Sequence, residues 1–153
     1  MFDVIRVLSL GRPLAKHSDG LKHSDVVNRV ITPESIAPPA AAYAHAVLSE
    51  RPEHLLHTAG VVPVAPDGSV PSTLGTQADV VWANIAAILA AAGMEATDVV
   101  SVTTYVVAGE DLAPVMAARD RFLDGRLVAS TLVTVPALAR PQWRVEIAVV
   151  AAR

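Results

Sequence analysis

Residues 76–107, TQADVVWANIAAILAAAGMEATDVVSVTTYVV, decide the fold because they predict a long helix followed closely by a strand. In the first part of this stretch, apolar side chains recur at helical spacing and form one stripe. In its last part, residues 99–107, β-branched side chains dominate, which is typical of a strand. A helix and a strand of this kind can bury their apolar sides against each other.

Local signals mark both ends of this helix. Thr76 is expected to cap its first turn, and Asp79 stands where a capping box needs an acidic side chain. Gly93 follows the last apolar position and is expected to end the helix near Ala92.

Outward from this stretch, the pattern adds a second helix from Asp111 to about Leu123 and several strands. The strands are expected at residues 28–32, 55–62, 130–135 and 144–151, with a brief apolar run at 43–48. This order predicts an α+β fold in which two helices pack on one face of a mixed sheet. No boundary signal occurs after Asn28, so residues 28–153 are expected to form one domain and residues 1–27 an N-terminal extension.

The composition excludes several classes of protein. The chain has 153 residues, of which 52% are hydrophobic and 18% charged, so we expect a folded domain and exclude disorder for most of it. The formal net charge is −3, which leaves no basic excess to neutralise phosphates, and nucleic acid is not expected as a partner. Cysteine is absent, which excludes disulfides and thiolate-bound metals.

Location and assembly follow from the same composition. No secretory signal is found at the start, and the apolar runs are interrupted short of a membrane span. We therefore expect a cytoplasmic protein with no membrane partner. A chain this small and this apolar has surplus apolar surface, which favours burial between subunits.

The common catalytic motifs do not occur. The sequence has no glycine-rich phosphate loop, no HExxH and no Gly-x-Ser-x-Gly. The tetrapeptide KHSD occurs twice, at residues 16–19 and 22–25. Its histidines would contact a metal or a phosphate, or would belong to a solvated extension, which is the favoured alternative. No metal site is expected.

Glu146 is the most informative single residue because it lies inside a strongly β-forming strand. Period-two alternation puts Val145 and Ile147 on one face and Glu146 on the other. The carboxylate is then either an exposed charge, paired with Arg144 or another arginine, or a proton-transfer group that lines a cleft. The pattern leaves both alternatives open.

Tyr43 and His45 lie two residues apart and would face the same side of an extended segment. Both side chains can donate hydrogen bonds, so they are candidates for ligand contact. An ordinary packed tyrosine beside a surface histidine is the favoured alternative.

Several segments together resemble the YjgF/RidA family of reactive-intermediate deaminases, which act on enamines and imines. The segments are ITP at 31–33, AYAHAV at 42–47, LLHTAGVVP at 55–63 with PDG at 66–68, Gln77 with Asn84, AAG at 91–93, DVVSVTTY at 98–105 and VEI at 145–147. Their order and spacing agree with the family over about residues 28–153.

The resemblance implies a chorismate-mutase-like fold with a mixed six-stranded sheet, assembled as a homotrimer. Small-molecule substrates would bind in clefts between subunits. The typical family reaction is hydrolysis of a 2-imino acid or its enamine to a 2-keto acid and ammonia, and it needs no metal or organic cofactor. In this chain Glu146 and Tyr43 would carry the chemistry, and the backbone at Gly60 would hold the ligand.

The chain departs from the family pattern where the ligand is held. Ala129 occupies the position of the family's carboxylate-binding arginine. Ala59 and Val61 occupy the positions of the Ser and the Gln in the family's S-G-Q segment. An Asn common on the second helix falls at Met116, and a common Cys falls at Thr131. The cleft would therefore be more apolar, and the substrate would lack a free α-carboxylate or bind it differently.

Three arginines are candidates to replace the lost charge, namely Arg126, Arg140 and Arg144. Two functions are consistent with the sequence. One is a Rid-like enzyme with a different substrate, acting by Glu-assisted hydrolysis or by proton transfer in a cyclisation, dehydration or isomerisation. The other is a non-catalytic trimer that binds a small ligand or a partner through a decayed deaminase site.

Overall fold

In the computed structural model, which describes residues 27–153, the chain folds into six strands and two α-helices. The strands are β1 (Val27–Ile31), β2 (Ala46–Glu50), β3 (Leu55–His57), β4 (Val99–Val107), β5 (Ala129–Val135) and β6 (Val145–Ala152). The helices are α1 (Leu74–Ala91) and α2 (Ala113–Leu123), and a short 3-10 helix spans Ala96–Asp98. The predicted α+β class is confirmed. Both KHSD tetrapeptides lie outside the described residues.

The six strands divide into two sheets. β3, β6, β4 and β5 form a mixed four-stranded sheet in that order, in which only β4 and β5 run parallel. β1 and β2 form a separate antiparallel pair. Between the sheets, Ala44 bridges Ala129 at the β5 edge, and its N–H donates to the Val128 carbonyl (2.8 Å). The bridge does not extend into a ladder because the following residues, Ala46–Glu50, pair with β1 instead.

The capping residue of α1 lies three residues before the predicted one. Thr73 has extended backbone angles, and its hydroxyl accepts a hydrogen bond from the Thr76 N–H (3.3 Å), so Thr73 is the cap. Asp79 pairs with Arg121 of α2 (2.7 Å) rather than closing a capping box. The predicted end is confirmed, since Gly93 follows the helix with a φ of +68° that favours glycine.

One face of the four-stranded sheet packs against both helices. Along β6, Val145, Ile147 and Val149 are buried in this core, as the alternation predicts. Glu146 and Ala148 point to the opposite face. No helix in residues 27–153 covers that side, and we call it the helix-free face.

α1 is long and apolar enough to cross a membrane by length and composition alone. This corrects the expectation that every apolar run falls short of a span. The helix lies in the core, where seven of its residues are buried: Leu74, Gln77, Ala78, Val81, Trp82, Ile85 and Leu89. Its packing is that of a core helix.

A buried glutamine ties α1 to the start of β6. The Gln77 amide nitrogen donates to the carbonyls of Pro71 and Gln142 (2.8 Å each), and its oxygen accepts from the Arg144 N–H (2.9 Å). All three bonds are made to backbone groups. The side chain therefore fixes where β6 begins, and with it the position of Glu146.

Candidate functional site

The Glu146 side chain lies directly over Gly60. A β-carbon at position 60 would lie 2.9 Å from Glu146 Cγ and closer still to its carboxylate, so glycine alone leaves room. The adjacent Val61 exchanges two backbone hydrogen bonds with Ile147 (2.7 and 3.1 Å). These bonds hold the segment against β6, and they bring together two residues that the sequence singled out separately.

Glu146 forms no ion pair among residues 27–153. Arg144, two residues before it on the same strand side, pairs with Glu110 (3.4 Å). Opposite Glu146 on the helix-free face stands Tyr105 of β4. The carboxylate is half-buried and has no cation to neutralise it within the described part of the chain.

Two further candidate residues share the helix-free face with Glu146. Thr131 lies opposite Thr103, and Ala129 lies opposite Ser101. Both belong to β5, which β4 separates from β6, so the strands that carry them run roughly 10 Å from that of Glu146. Glu146 does not touch either residue across such a gap.

A cavity of about 390 Å³ opens between α2, β5 and the segment before β2. Its lining residues are Ala41, Tyr43, Leu112, Met116, Arg119, Ser130, Thr131 and Leu132. The structure thus brings three predicted site residues together in one cavity: Tyr43, Met116 and Thr131. Glu146, Gly60 and Val61 do not line it, so a single chain places the predicted residues in two separate groups.

Arg119, which was not among the predicted site residues, is the only charged residue of the described part of the chain that lines this cavity. Its side chain is 8% exposed. Nε and Nη2 donate to one carboxylate oxygen of Asp120 (2.9 and 2.7 Å), Nη2 donates to the Ala42 carbonyl (3.3 Å), and Nη1 donates to the Ser130 hydroxyl (3.4 Å). These contacts use four of the five N–H donors of a guanidinium.

A sequence signal for Arg119 existed. It lies four residues after Val115 and three before Phe122, so these three side chains share one stripe of α2, and the two apolar ones pack in or against the core. A charged residue on an apolar stripe is rarely left unpaired in a folded protein. Its position on that stripe marks it as a candidate for a site.

The three arginines predicted as replacements are engaged elsewhere. Arg126 donates to a carbonyl of the 3-10 helix (2.9 Å), and Arg140 stacks on the Trp143 ring (5.7 Å). Arg144 pairs with Glu110. None of the three lines the cavity.

Two other candidates lie near these groups without joining them. The rings of His45 and Tyr43 meet edge to face with centroids 6.0 Å apart, but His45 is exposed and does not line the cavity. Ala59 is exposed beside Gly60. Within residues 27–153 no cluster of three or more metal-ligating side chains occurs.

A sequence profile described as Endoribonuclease L-PSP matches residues 34–153. The chain belongs to this family, the YjgF/RidA family. No curated protein matches it.

Solved structures of YjgF/RidA proteins share the fold. YyfB of Yersinia pestis, described as a Rid protein of unknown function, is 33% identical, with a TM-score of 0.74 over 82% of this chain and 98% of that one. The Escherichia coli YjgF gene product is 29% identical, with a TM-score of 0.61 over 82% and 98%. NMB1025 of Neisseria meningitidis, a YjgF protein, is 29% identical, with a TM-score of 0.58 over 86% and 97%. The predicted family and fold are therefore confirmed.

Proposed function

We propose that this YjgF/RidA protein is an enzyme that acts on an imine, an enamine or a related reactive intermediate, with Glu146 as the proton-transfer group. The observation that carries the proposal is the half-buried carboxylate held over Gly60. A carboxylate that faces a reacting group within hydrogen-bond reach can serve as a general base and then as a general acid.

Hydrolysis would proceed by addition of water to the C=N carbon. Glu146 would take a proton from water as the oxygen attacks that carbon, and would pass this proton to the imine nitrogen to give a carbinolamine. Glu146 would then take the proton of the carbinolamine hydroxyl as the C=O bond forms, and would give it to the nitrogen as the C–N bond breaks. Ammonia leaves and the carboxylate is restored. The reaction consumes one water and needs no cofactor.

Assembly would unite the two groups of site residues. Glu146 lies on the helix-free face, whereas Tyr43 lines the cavity beside α2, so their convergence needs a second copy of the chain. The helix-free face also exposes apolar side chains, such as Val133 at 40%. A homotrimer, which the family resemblance implies, would cover this surface and place the substrate cleft between subunits.

The substrate that fits is more apolar than the ordinary family substrate. Ala129 and Ala59 stand where the family keeps polar ligand contacts, and Met116 and Leu132 line the cavity. We expect faster ammonia release from a branched 2-imino acid than from 2-iminopropionate. Equal or greater activity on 2-iminopropionate would contradict this substrate preference.

Glu146→Gln tests the reaction itself. Because the amide cannot accept a proton from water, we expect ammonia release to fall by at least about a hundredfold. Glu50→Gln is the matched control, since Glu50 lies exposed on β2 and pairs with Arg29. An unchanged rate in Glu146→Gln would remove this carboxylate from the mechanism.

The alternative function is a non-catalytic trimer that binds a small ligand. Two observations favour this alternative. Alanine stands at position 129, where the family has its carboxylate-binding arginine, and Glu146 does not line the cavity within one chain. Ligand binding without turnover in the wild-type chain would support this alternative. RNA is not proposed as a substrate, because the net charge is −3 and the cavity has one basic residue. A cytoplasmic location stays a prediction.

A further inference from the structure

We propose that residues 4–10, VIRVLSL, dock on the open edge of β3 as an added strand and cover Leu55. The occupant is a segment of the same chain that lies outside the described residues. The surface lies away from the cavity beside α2, and the proposal does not depend on the proposed reaction.

The first argument is the unpaired backbone of β3. In the described part of the chain, β3 pairs only with β6 and is an edge strand of its sheet. The His54 and Thr58 N–H groups donate toward the β6 side (2.6 and 3.1 Å). Backbone groups alternate in direction along a strand, so those of Leu55 and His57 point away from β6. An edge of this kind is a template for a further strand.

The second argument is the exposure of Leu55. At 58% exposed, it is the most exposed of the large apolar side chains in the described part of the chain. Its neighbour Leu56 packs against the core, so Leu55 points to the helix-free face. Folded proteins cover or charge such edges, because an open apolar edge leads to aggregation.

The third argument is the path of the chain. Ala152 is the β6 partner of Leu55, and its carbonyl accepts a hydrogen bond from the Asn28 amide (2.9 Å). Asn28 lies near the start of β1, so the N-terminal extension joins the domain beside the open edge. Residues 11–26 can span roughly 50 Å when extended, which is ample for residues 4–10 to fold back onto β3.

A buried polar atom points to the same place. Asn28 Oδ1 is buried and has no hydrogen-bond partner among residues 27–153. Buried polar atoms in folded proteins are nearly always paired, so a donor is expected from outside these residues. This indicates that the extension packs against this end of the sheet.

The sequence of the extension selects the segment. Residues 4–10 contain five valine, isoleucine or leucine residues out of seven, and the β-branched ones favour a strand. Gly11 and Pro13 follow and would end the strand. Residues 11–26 contain no comparable apolar run, so they suit a linker.

Amide hydrogen exchange on the full chain, followed by NMR for each residue, tests the pairing. We expect the Leu55 and His57 amides to exchange at least about tenfold more slowly than in a variant that carries Val7→Pro and Leu8→Pro. Two adjacent prolines are needed because only one of two successive N–H groups faces β3. Fast exchange of both amides in the wild-type chain overturns the proposal.

The matched control carries Leu21→Pro and Lys22→Pro, which lie in the linker. It should keep the slow exchange of the wild type, and an equal loss of protection in the control contradicts the proposal. Slow exchange that persists with prolines at residues 7 and 8 shows that something else, such as a second copy, covers β3. That result also overturns the proposal.

Photo-crosslinking identifies the occupant without proline variants. Benzoylphenylalanine replaces Leu55, and light chains are mixed with ¹⁵N-labelled chains. We expect cross-linked peptides that contain residues 4–10, with both halves from one chain. Cross-links only to residues 27–153, or mixed light and heavy pairs, overturn the proposal. Benzoylphenylalanine in place of Val133 is the control at the opposite edge of the sheet, and equal capture of residues 4–10 there would show a non-specific contact.

Discussion

At the scale of single residues, the contact between Glu146 and Gly60 is the most specific feature of the site. The glycine is needed for space and not for an unusual backbone angle, since its φ lies outside the region that favours glycine. Any side chain at position 60 would push the carboxylate away from the backbone. The Glu146 carboxylate can therefore lie where it does because residue 60 has no β-carbon.

Gly60→Ala turns this contact into a prediction. The added methyl group would overlap the Glu146 carboxylate and force the side chain into another rotamer. We expect ammonia release to fall by about tenfold or more, with the fold retained, because a displaced acid loses its alignment with the reacting atoms.

The control for this prediction is Gly75→Ala. A methyl group at Gly75 meets only Pro114 Cβ at 3.4 Å, and alanine favours the first turn of α1. Activity should be unchanged and stability equal or higher. Wild-type activity in Gly60→Ala would show that the position of the carboxylate does not matter.

Residues of the candidate site were predictable where a strand or a family segment exposed them. The sequence indicates Glu146 because it interrupts a β-forming run, and Tyr43 because it lies two residues from His45 and in a segment that resembles the family. Arg119 was not found, because the charged neighbours Asp120 and Arg121 made it resemble a solvated helix face. Its burial depends on Ala42 and Ser130, which only tertiary structure brings to it.

At the scale of elements, the position of β6 depends on a single polar side chain of α1. Gln77 is 1% exposed and its hydrogen bonds reach both the loop before α1 and the start of β6. A buried amide with three backbone partners fixes the register of what it binds. The position of the Glu146 carboxylate, the proposed proton-transfer group, therefore depends on a side chain of α1.

Gln77→Leu should destabilise the fold with little change in side-chain volume. The Arg144 N–H and two backbone carbonyls would lose their partners, so we expect the free energy of unfolding to fall by about 2–3 kcal/mol. Urea denaturation followed by circular dichroism measures the change. Gln142→Ala is the control, because Gln142 contributes only its carbonyl and is exposed. Equal stability of both variants would contradict the role of Gln77.

Elements were predictable to the extent that local patterns define them. The bounds of β4 agree with the pattern of β-branched residues at 99–107. The cap of α1 was assigned to the wrong threonine, because Thr73 and Thr76 are equivalent by type and backbone angles decide between them. The division into two sheets was not predictable, since the single bridge at Ala44 is a long-range contact.

At the scale of the whole molecule, the two faces of the four-stranded sheet have different environments. One is covered by α1 and α2, and the other presents Tyr105, Val133 and Glu146 without a helix from the described residues. Exposed apolar side chains grouped on one open face are typical of a surface that another subunit covers. The composition predicts surplus apolar surface, but it does not indicate on which face of the sheet the exposed apolar side chains lie.

Val133→Lys tests this assignment. A charge in a subunit interface is costly, so the variant should shift the mass in sedimentation from a trimer of about 48 kDa, three times 16.0 kDa, toward the monomer. Ile88→Lys is the control, because Ile88 is a similarly exposed residue on α1. A monomeric wild-type chain, or a trimeric Val133→Lys, would contradict the interface.

The place of β6 in the sheet also governs when the domain can form during synthesis. Of the six described strands, β6 is the last to be synthesised, yet it lies between β3 and β4 and pairs with each. Until it emerges, β3 has no neighbour among these strands and β4 lacks one of its two ladders. The sheet is therefore completed only after translation has passed residue 152, and nascent chains expose the apolar side of α1 until then.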